Sequence, residues 1–192
     1  FSLFPDNDSP YFMADIELPQ GAALSETDKA VRYADGVLAA RKDIDWRFAN
    51  SGYGNPQVYY NVFQVRAQPH IGQIYASFKE WRADTGPEAV EEIRAEFLKY
   101  PGARITLRRF ENGPPVDAPI AVRITGKDLA TLTALAEQVE NIVQKTEGTL
   151  DVKNPMAART VDLDLRIDQT KAALLGVPAG AVDQTLRIAL GG

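Results

Sequence analysis

The chain has 192 residues, 45% of them hydrophobic and 24% charged, with a net charge of −5 and no cysteine. That composition excludes a disordered chain, and its acidic balance argues against a surface built to coat nucleic acid. Without cysteine there is no disulfide framework, no thiolate nucleophile and no cysteine-based zinc or iron–sulfur site, and no apolar run approaches the ~20 residues that span a bilayer.

Residues 11–18, YFMADIEL, alternate with period two and predict a half-buried strand. Phe12, Ala14, Ile16 and Leu18 share one face, and Tyr11, Met13, Asp15 and Glu17 the other. Ser25-x-x-Asp28 resembles a capping box, and Leu24, Val31, Ala34 and Leu38 follow at helical spacing to about Arg41. Residues 44–51 read as a second strand with Ile44, Trp46 and Phe48 on one side. Residues 52–71 open with SGYGNP, continue through VYYNVFQV, a possible strand or ribbon, and close with QPHIG. A third strand over 73–79 precedes a helix starting at Thr85-Gly86-Pro87, where proline is tolerated in a first turn. Val90, Ile93 and Phe97 give that helix its apolar face, Pro101-Gly102 ends it, and 104–110 is the fourth strand. The order β-α-β-β-α-β is the split βαβ, or ferredoxin-like, unit.

ENGPPVDAP (111–119) reads as a stiff linker, and the pattern then restarts. IAVRI (120–124) predicts a strand, and Asp128 caps a helix bearing Leu129, Leu132, Leu135, Val139 and Ile142. LDV (150–152) and VDLDLRI (161–167) predict strands, Asp168 caps a short helix that stops at Gly176, and Pro178 opens a last helix. The fold class is therefore α+β, with tandem ferredoxin-like subdomains of which the second, from residue 118, is incomplete. No signal peptide is visible, and the start at Phe1 is that expected of a fragment excised from a longer protein.

Candidate chemistry is sparse. His70, the single histidine, sits in a loop with no nucleophile motif nearby. Asp6-Asn7-Asp8 opens like a calcium loop, but Tyr11 stands where the tight turn needs glycine, so a solvated turn is the better reading. Gly52-Tyr53-Gly54 lacks the third glycine of a dinucleotide motif, and Asp162, Asp164 and Asp168 read as the solvated face of a strand. An enzyme finds little support in this set, and no cofactor is implied. The informative stretch is 46–78, which holds eight of the seventeen aromatics: Trp46, Phe48, Tyr53, Tyr59, Tyr60, Phe63, Tyr75 and Phe78. Strand core accounts for several of them, while Tyr53, Tyr59 and Tyr75 fall out of phase with the apolar faces and suit an adaptable apolar pocket beside a glycine-bearing loop.

Three stretches carry a family resemblance. FPDNDSPYFMADIELPQGAALSETDKAV resembles the start of the second periplasmic loop of resistance-nodulation-division (RND) transporters. FENGPPVDAPIAVRITGKDLATLTALAEQV resembles the junction between that loop's two porter subdomains, and VDLDLRIDQTKAALLGVPAGAVDQTLRIALGG resembles the run that ends where the docking domain is inserted. The resemblance implies that residues 1–110 are the first C-terminal porter subdomain, 111–117 a linker, and 118–192 the first part of the second. It implies the periplasmic portion of an inner-membrane, proton-driven, homotrimeric pump that meets a periplasmic adaptor protein and an outer-membrane channel, with small amphiphilic or hydrophobic compounds as substrates and no nucleic acid partner. Matching ANSGYG and IYASFKEW onto the family's drug pocket implies that Phe48, Asn50, Tyr53 and Tyr75 bind substrate and that Gly52 and Gly54 form a switch-loop hinge. Asn50 and Asn55 make this pocket more polar than a typical multidrug one. Met13 and Met156 are expected away from the pocket places, which argues against soft-metal export. The rival readings are a soluble tandem ferredoxin-like module that senses small molecules and, with less support, an RNA-binding domain of the same strand order.

Overall fold

The computed structural model describes residues 7–114, 118, 120–157 and 166–191. They fall into two compact units, Phe1–Thr160 and Val161–Gly192.

In the first unit the predicted split βαβ is present, with small shifts at its ends. Strand β1 (Tyr11–Glu17) leads into helix α1 (Leu24–Ala39), then β2 (Ile44–Ser51), β3 (Ile71–Phe78), α2 (Gly86–Phe97) and β4 (Arg104–Arg109). The strands form one antiparallel sheet in the order β2-β3-β1-β4. Alternation on β1 sends Phe12, Ala14 and Ile16 to one face, where they meet Ile74 and Ala76 of β3 and Ile105 and Leu107 of β4. Helices α1 and α2 cover this face with Ala30, Val31, Ala34 and Leu38, and with Val90, Ile93 and Phe97. Each large side chain so buried contributes about 1.5–3 kcal/mol relative to exposure. Alanines at 30 and 34, wholly buried, let α1 lie close to the strands.

Helix α1 departs from the expected cap. Its N-cap is Ala23, with no side-chain hydrogen bond, so Ser25 already lies inside the first turn and the Ser25–Asp28 box does not form. Asp28 instead accepts from Arg32 (2.6 Å) and from the Ser51 hydroxyl (3.0 Å), tying α1 to the end of β2. Thr27, fully buried, donates to the carbonyl of Pro69 at 2.6 Å.

After residue 118 the expected strands are not all found. IAVRI (120–124) and LDV (150–152) form no ladder, because neither meets a partner strand among the described residues. Residues 161–165 of VDLDLRI, with Asp162 and Asp164, lie outside the described residues. Helix α3 (Leu129–Gln144) is present and capped as predicted: Asp128 accepts from the Thr131 amide at 2.8 Å. Its apolar stripe is uncovered, with Leu129, Leu135 and Ile142 all exposed. In the second unit Asp168 caps helix α4 (Gln169–Leu174) by accepting from the Lys171 amide, and helix α5 (Ala179–Gly191) follows Pro178.

Gly72 marks the tightest helix–sheet approach. A Cβ there would lie 2.3 Å from Val31 Cγ2 and 3.1 Å from the Asn50 carbonyl, whereas one on Gly36, exposed on α1, would meet nothing within 4 Å. Gly72→Ala is expected to destabilise the chain by about 1–3 kcal/mol through overpacking, and Gly36→Ala to stabilise it by about 0.5–1 kcal/mol. Urea unfolding of both variants checks the contrast.

Candidate functional site

The face of the sheet turned away from the helices is where the sequence-predicted site residues meet. Its composition is set by a β-bulge. Ile44 pairs with Phe78, but Trp46 pairs with Ser77, so Asp45 is an extra residue in β2. Bulges re-aim side chains, and one residue of shift exchanges the two faces of a strand. Ile44 therefore joins the core at 6% exposure, whereas Trp46 and Phe48 point the other way, at 38% and 55%. The expectation that Ile44, Trp46 and Phe48 share one side fails for this reason.

Beyond the bulge the register places Phe48 opposite Tyr75 and Asn50 opposite Gln73. On β1, Met13 pairs with Tyr75 and Asp15 with Gln73. Two rows result. The first is aromatic. Trp46 meets Tyr75 edge-on at 4.8 Å, Tyr11 lies 6.0 Å from both, and Tyr75 reaches Phe110 at 5.8 Å. Such pairs contribute about 0.5–1.5 kcal/mol each beyond area burial. Burial raises the Tyr75 phenol above its ordinary value, with the neighbouring Tyr11 adding to the effect, so its hydroxyl stays protonated at physiological pH.

The second row is polar. Asn50 Nδ2 donates to Asn55 Oδ1 (2.6 Å), the Asn55 amide donates to Gln73 Oε1 (2.7 Å), and Gln73 Nε2 donates to Asp15 Oδ1 (2.6 Å). Asp15 is closed off by Arg108 at 3.3 Å. The network crosses all four strands and balances its one carboxylate with one guanidinium. Gln73 is its centre, since its single carboxamide satisfies both the loop and β1. The Asn55 side-chain nitrogen, buried with the rest of that residue, has no partner among the described residues.

The segment 52–70 folds over this face and has a small core of its own. Val62 packs with Met13 and Phe110, all buried, and with Val58, Tyr59 and Tyr75 around them. VYYNVFQV is thus a compact turn, closed by a Tyr59–Val62 bridge, and not a strand. At the stem, Gly52 has φ +74°, donates to Ile71 O (2.7 Å) and accepts from Gln68 N (3.0 Å). A Cβ on Gly54 would lie 2.8 Å from the Val65 backbone, so the two arms of the loop approach at a distance only glycine allows. Phe48, Asn50 and Tyr75 are brought together. Tyr53 stands on the loop, 47% exposed, without a described ring contact to them. Sequence reasoning did not select Tyr11, Trp46, Gln73 or Phe110; the odd-numbered face of β1 held the signal for Tyr11. A recess of about 550 Å³ lies elsewhere, between α1 and α2, beside Tyr33 and Val37.

The remaining candidates take structural places. The His70 carbonyl accepts from the Leu18 amide at 2.9 Å. Asp6 lies outside the described residues, while Asn7 forms a tight turn onto the Ser9 amide and donates to the Tyr59 hydroxyl (2.9 Å). Met13, expected away from the pocket places, is set by the register opposite Tyr75 and is buried beneath Val62 of the loop. Its sulfur faces the Arg108 guanidinium at 4.0 Å, a poor neighbour for a metal cation, and no group of three or more His, Asp or Glu side chains among the described residues is placed to hold one.

At one end of the face, Glu17 lies 2.5 Å from Arg104 and 3.2 Å from Lys153. Burial alone would raise the Glu17 carboxyl, but these hydrogen bonds and charges outweigh it and hold the carboxyl below its ordinary value. A carboxyl lowered in the folded state stabilises that state above the ordinary carboxylate range and loses the contribution as pH falls through the lowered value. Glu17→Gln is therefore expected to flatten the acid limb of stability against pH. At neutral pH it costs less than about 1 kcal/mol, because the partners are partly exposed. Urea unfolding across an acid-to-neutral series measures both.

The whole chain, residues 1–192, matches the family model described as the AcrB/AcrD/AcrF family. It is 27% identical over 209 aligned residues to the multidrug export protein AcrF of Escherichia coli (strain K12), a match covering all of this chain and 19% of that protein. It is 26% identical to the cobalt-zinc-cadmium resistance protein CzcA of Cupriavidus metallidurans, over 90% of this chain and 17% of that one. Among solved structures, a heavy metal efflux pump shares the fold with a TM-score of 0.68 at 14% identity, over 97% of this chain and 20% of that chain. The chain thus spans about a fifth of the length of the relatives it matches. These matches are to transporters and not to enzymes. Among the described residues no helix is long and apolar enough to cross a membrane. The chain belongs to the AcrB/AcrD/AcrF family of RND efflux transporters, as a fragment of their periplasmic porter region.

Proposed function

We propose that this chain forms part of the substrate path of a proton-driven RND pump and contributes to binding and exporting small amphiphilic or hydrophobic compounds. The observation that carries this reading is the aromatic row of Tyr11, Trp46, Phe48 and Tyr75 on the sheet face opposite helices α1 and α2, beside a row of neutral amides. Aromatic faces give large contact area with weak directionality, which suits amphiphiles of varied shape. Phe48 and Tyr75 supply apolar contact, Asn50 a hydrogen bond, and Tyr53 a second wall from the loop, with Gly52 and Gly54 as the hinge of a switch loop. Relatives named for multidrug export and for metal resistance both match this chain. The aromatic surface and the guanidinium beside the lone thioether favour the organic cargo.

The same reading makes residues 1–110 one porter subdomain, 111–117 a linker and 118–192 the start of another. In the intact pump this region belongs to a homotrimer that works with a periplasmic adaptor protein and an outer-membrane channel.

In a host expressing the full-length transporter at matched levels, Phe48→Ala, Tyr53→Ala and Tyr75→Ala are each expected to lower tolerance to amphiphilic compounds by about 2–10-fold, the equivalent of one lost aromatic contact. Unchanged tolerance in all three, with tolerance to cobalt or zinc lost in Met13→Leu, would reverse the assignment in favour of a metal cargo.

A further inference from the structure

The tip of the loop that covers the aromatic face is fastened to the start of the linker. The Tyr60 hydroxyl donates to the carbonyl of Gly113 at 2.9 Å and accepts from the same residue's amide at 2.7 Å. Asn61 Nδ2 donates to the carbonyls of Glu111 (3.0 Å) and Gly113 (2.9 Å). The Tyr59 hydroxyl donates to Asn112 Oδ1 at 3.0 Å. The Tyr59 ring stacks on Phe110 at 5.0 Å with 12° between the planes, and Phe110 is the buried residue that follows β4. Gly113 has φ +113°, a conformation side-chain-bearing residues rarely adopt.

The stem of the same loop is held differently. Beside the backbone bonds of Gly52 to Ile71 and Gln68, it rests on the Asn50–Asn55–Gln73 amide network, which buries the Asn55 side-chain nitrogen without a partner among the described residues. An unsatisfied buried donor is relieved on exposure to water, so opening the stem recovers part of its own cost. The tip has no such weakness. It keeps a stacked pair, five hydrogen bonds to 111–113 and the packing of Val62 on Met13 and Phe110.

We propose that residues 58–63 and 110–113 form a clasp that moves as one piece, so that release of the loop at its stem is transmitted to the linker. Pro114 follows the clasp directly. Its fixed φ removes one of the two backbone rotations that would absorb a displacement. Tyr60 and Asn61 are thus positioning residues whose hydrogen-bond partners lie outside the aromatic face, and Tyr59 joins them to its edge through Phe110. The device stands on the fold alone, whatever the face binds.

The absence of cysteine makes site-directed spin labelling direct. Two label pairs are placed on the full 192-residue chain: Lys42→Cys with Phe63→Cys for the loop, and Lys42→Cys with Ala118→Cys for the linker. Asn55→Ala opens the stem, with Asn50→Ala as a second stem variant, and circular dichroism checks that each remains folded. The expected result is that both distance distributions broaden together when the stem is opened. Adding Tyr59→Ala, Tyr60→Phe and Asn61→Ala to the stem variant should leave the loop pair broad and return the linker pair to its wild-type distribution. A linker pair that ignores the stem variants, or broadens equally without the clasp, overturns the proposal. So does a loop pair that stays narrow in both stem variants.

Discussion

One extra residue in β2 decides what this sheet presents to its surroundings. Ile44 and Trp46 are two apart in sequence and would share a face on an unbroken strand. The bulge at Asp45 puts Ile44 under the helices and turns Trp46 and Phe48 outward, against Tyr75 and Tyr11. Without that shift Trp46 and Phe48 would compete with Ala76 and Ile74 for space beneath α1, and the open face would lose its largest rings. Every later feature of the site depends on this placement. The helices bury one side of the sheet, and the other is left to the loop 52–70 and to whatever that loop admits.

The loop has no strand partner along most of its length, so its order needs another source. Long loops without internal structure are unusual in compact domains and are commonly functional. Here order comes from two unlike anchors. One is a buried amide network centred on Gln73, in which each bond depends on the geometry of the next. The other is a set of aromatic and hydroxyl contacts made by Tyr59 and Tyr60. The first anchor buries an unsatisfied donor among the described residues, and the second joins a stacked ring pair to several hydrogen bonds; the proposed clasp turns on that difference.

Much of the fold was legible in the sequence because its signals were strong and local. Strict alternation over 11–18, helical spacing of Val31, Ala34 and Leu38, and punctuation at Pro87 and Gly102 placed the six elements of the first unit. Asp128 and Asp168 were readable as caps because each stands immediately before a helix. The failures share a physical cause. A capping box, a bulge and a strand ladder each depend on groups far from the residues that suggest them. Ser25 could not reveal that the helix starts at Leu24. Trp46 could not reveal that Ser77 and not Ala76 would face it. IAVRI has the composition of a strand but no neighbour to pair with among the described residues. On the candidate face, Phe48 and Tyr75, expected from resemblance, are register partners, whereas Gln73 was not singled out because a lone glutamine in a strand carries no sequence signal. That Met13 lies opposite Tyr75 was not legible either, because antiparallel register is set by the ladder and not by the local sequence.

The central claim is that the open aromatic face binds amphiphiles, and Trp46 sits on it as a built-in reporter. The most direct measurement is a titration of the chain with N-phenyl-1-naphthylamine, an apolar fluorescent amine, following energy transfer from tryptophan. Subtracting the signal of Trp46→Phe isolates the contribution of Trp46 from that of Trp81, which packs against Phe78 and Arg109. The account predicts a saturable Trp46 signal that disappears in Phe48→Ala with Tyr75→Ala. A signal that is absent, that never saturates, or that survives the loss of both rings would contradict it.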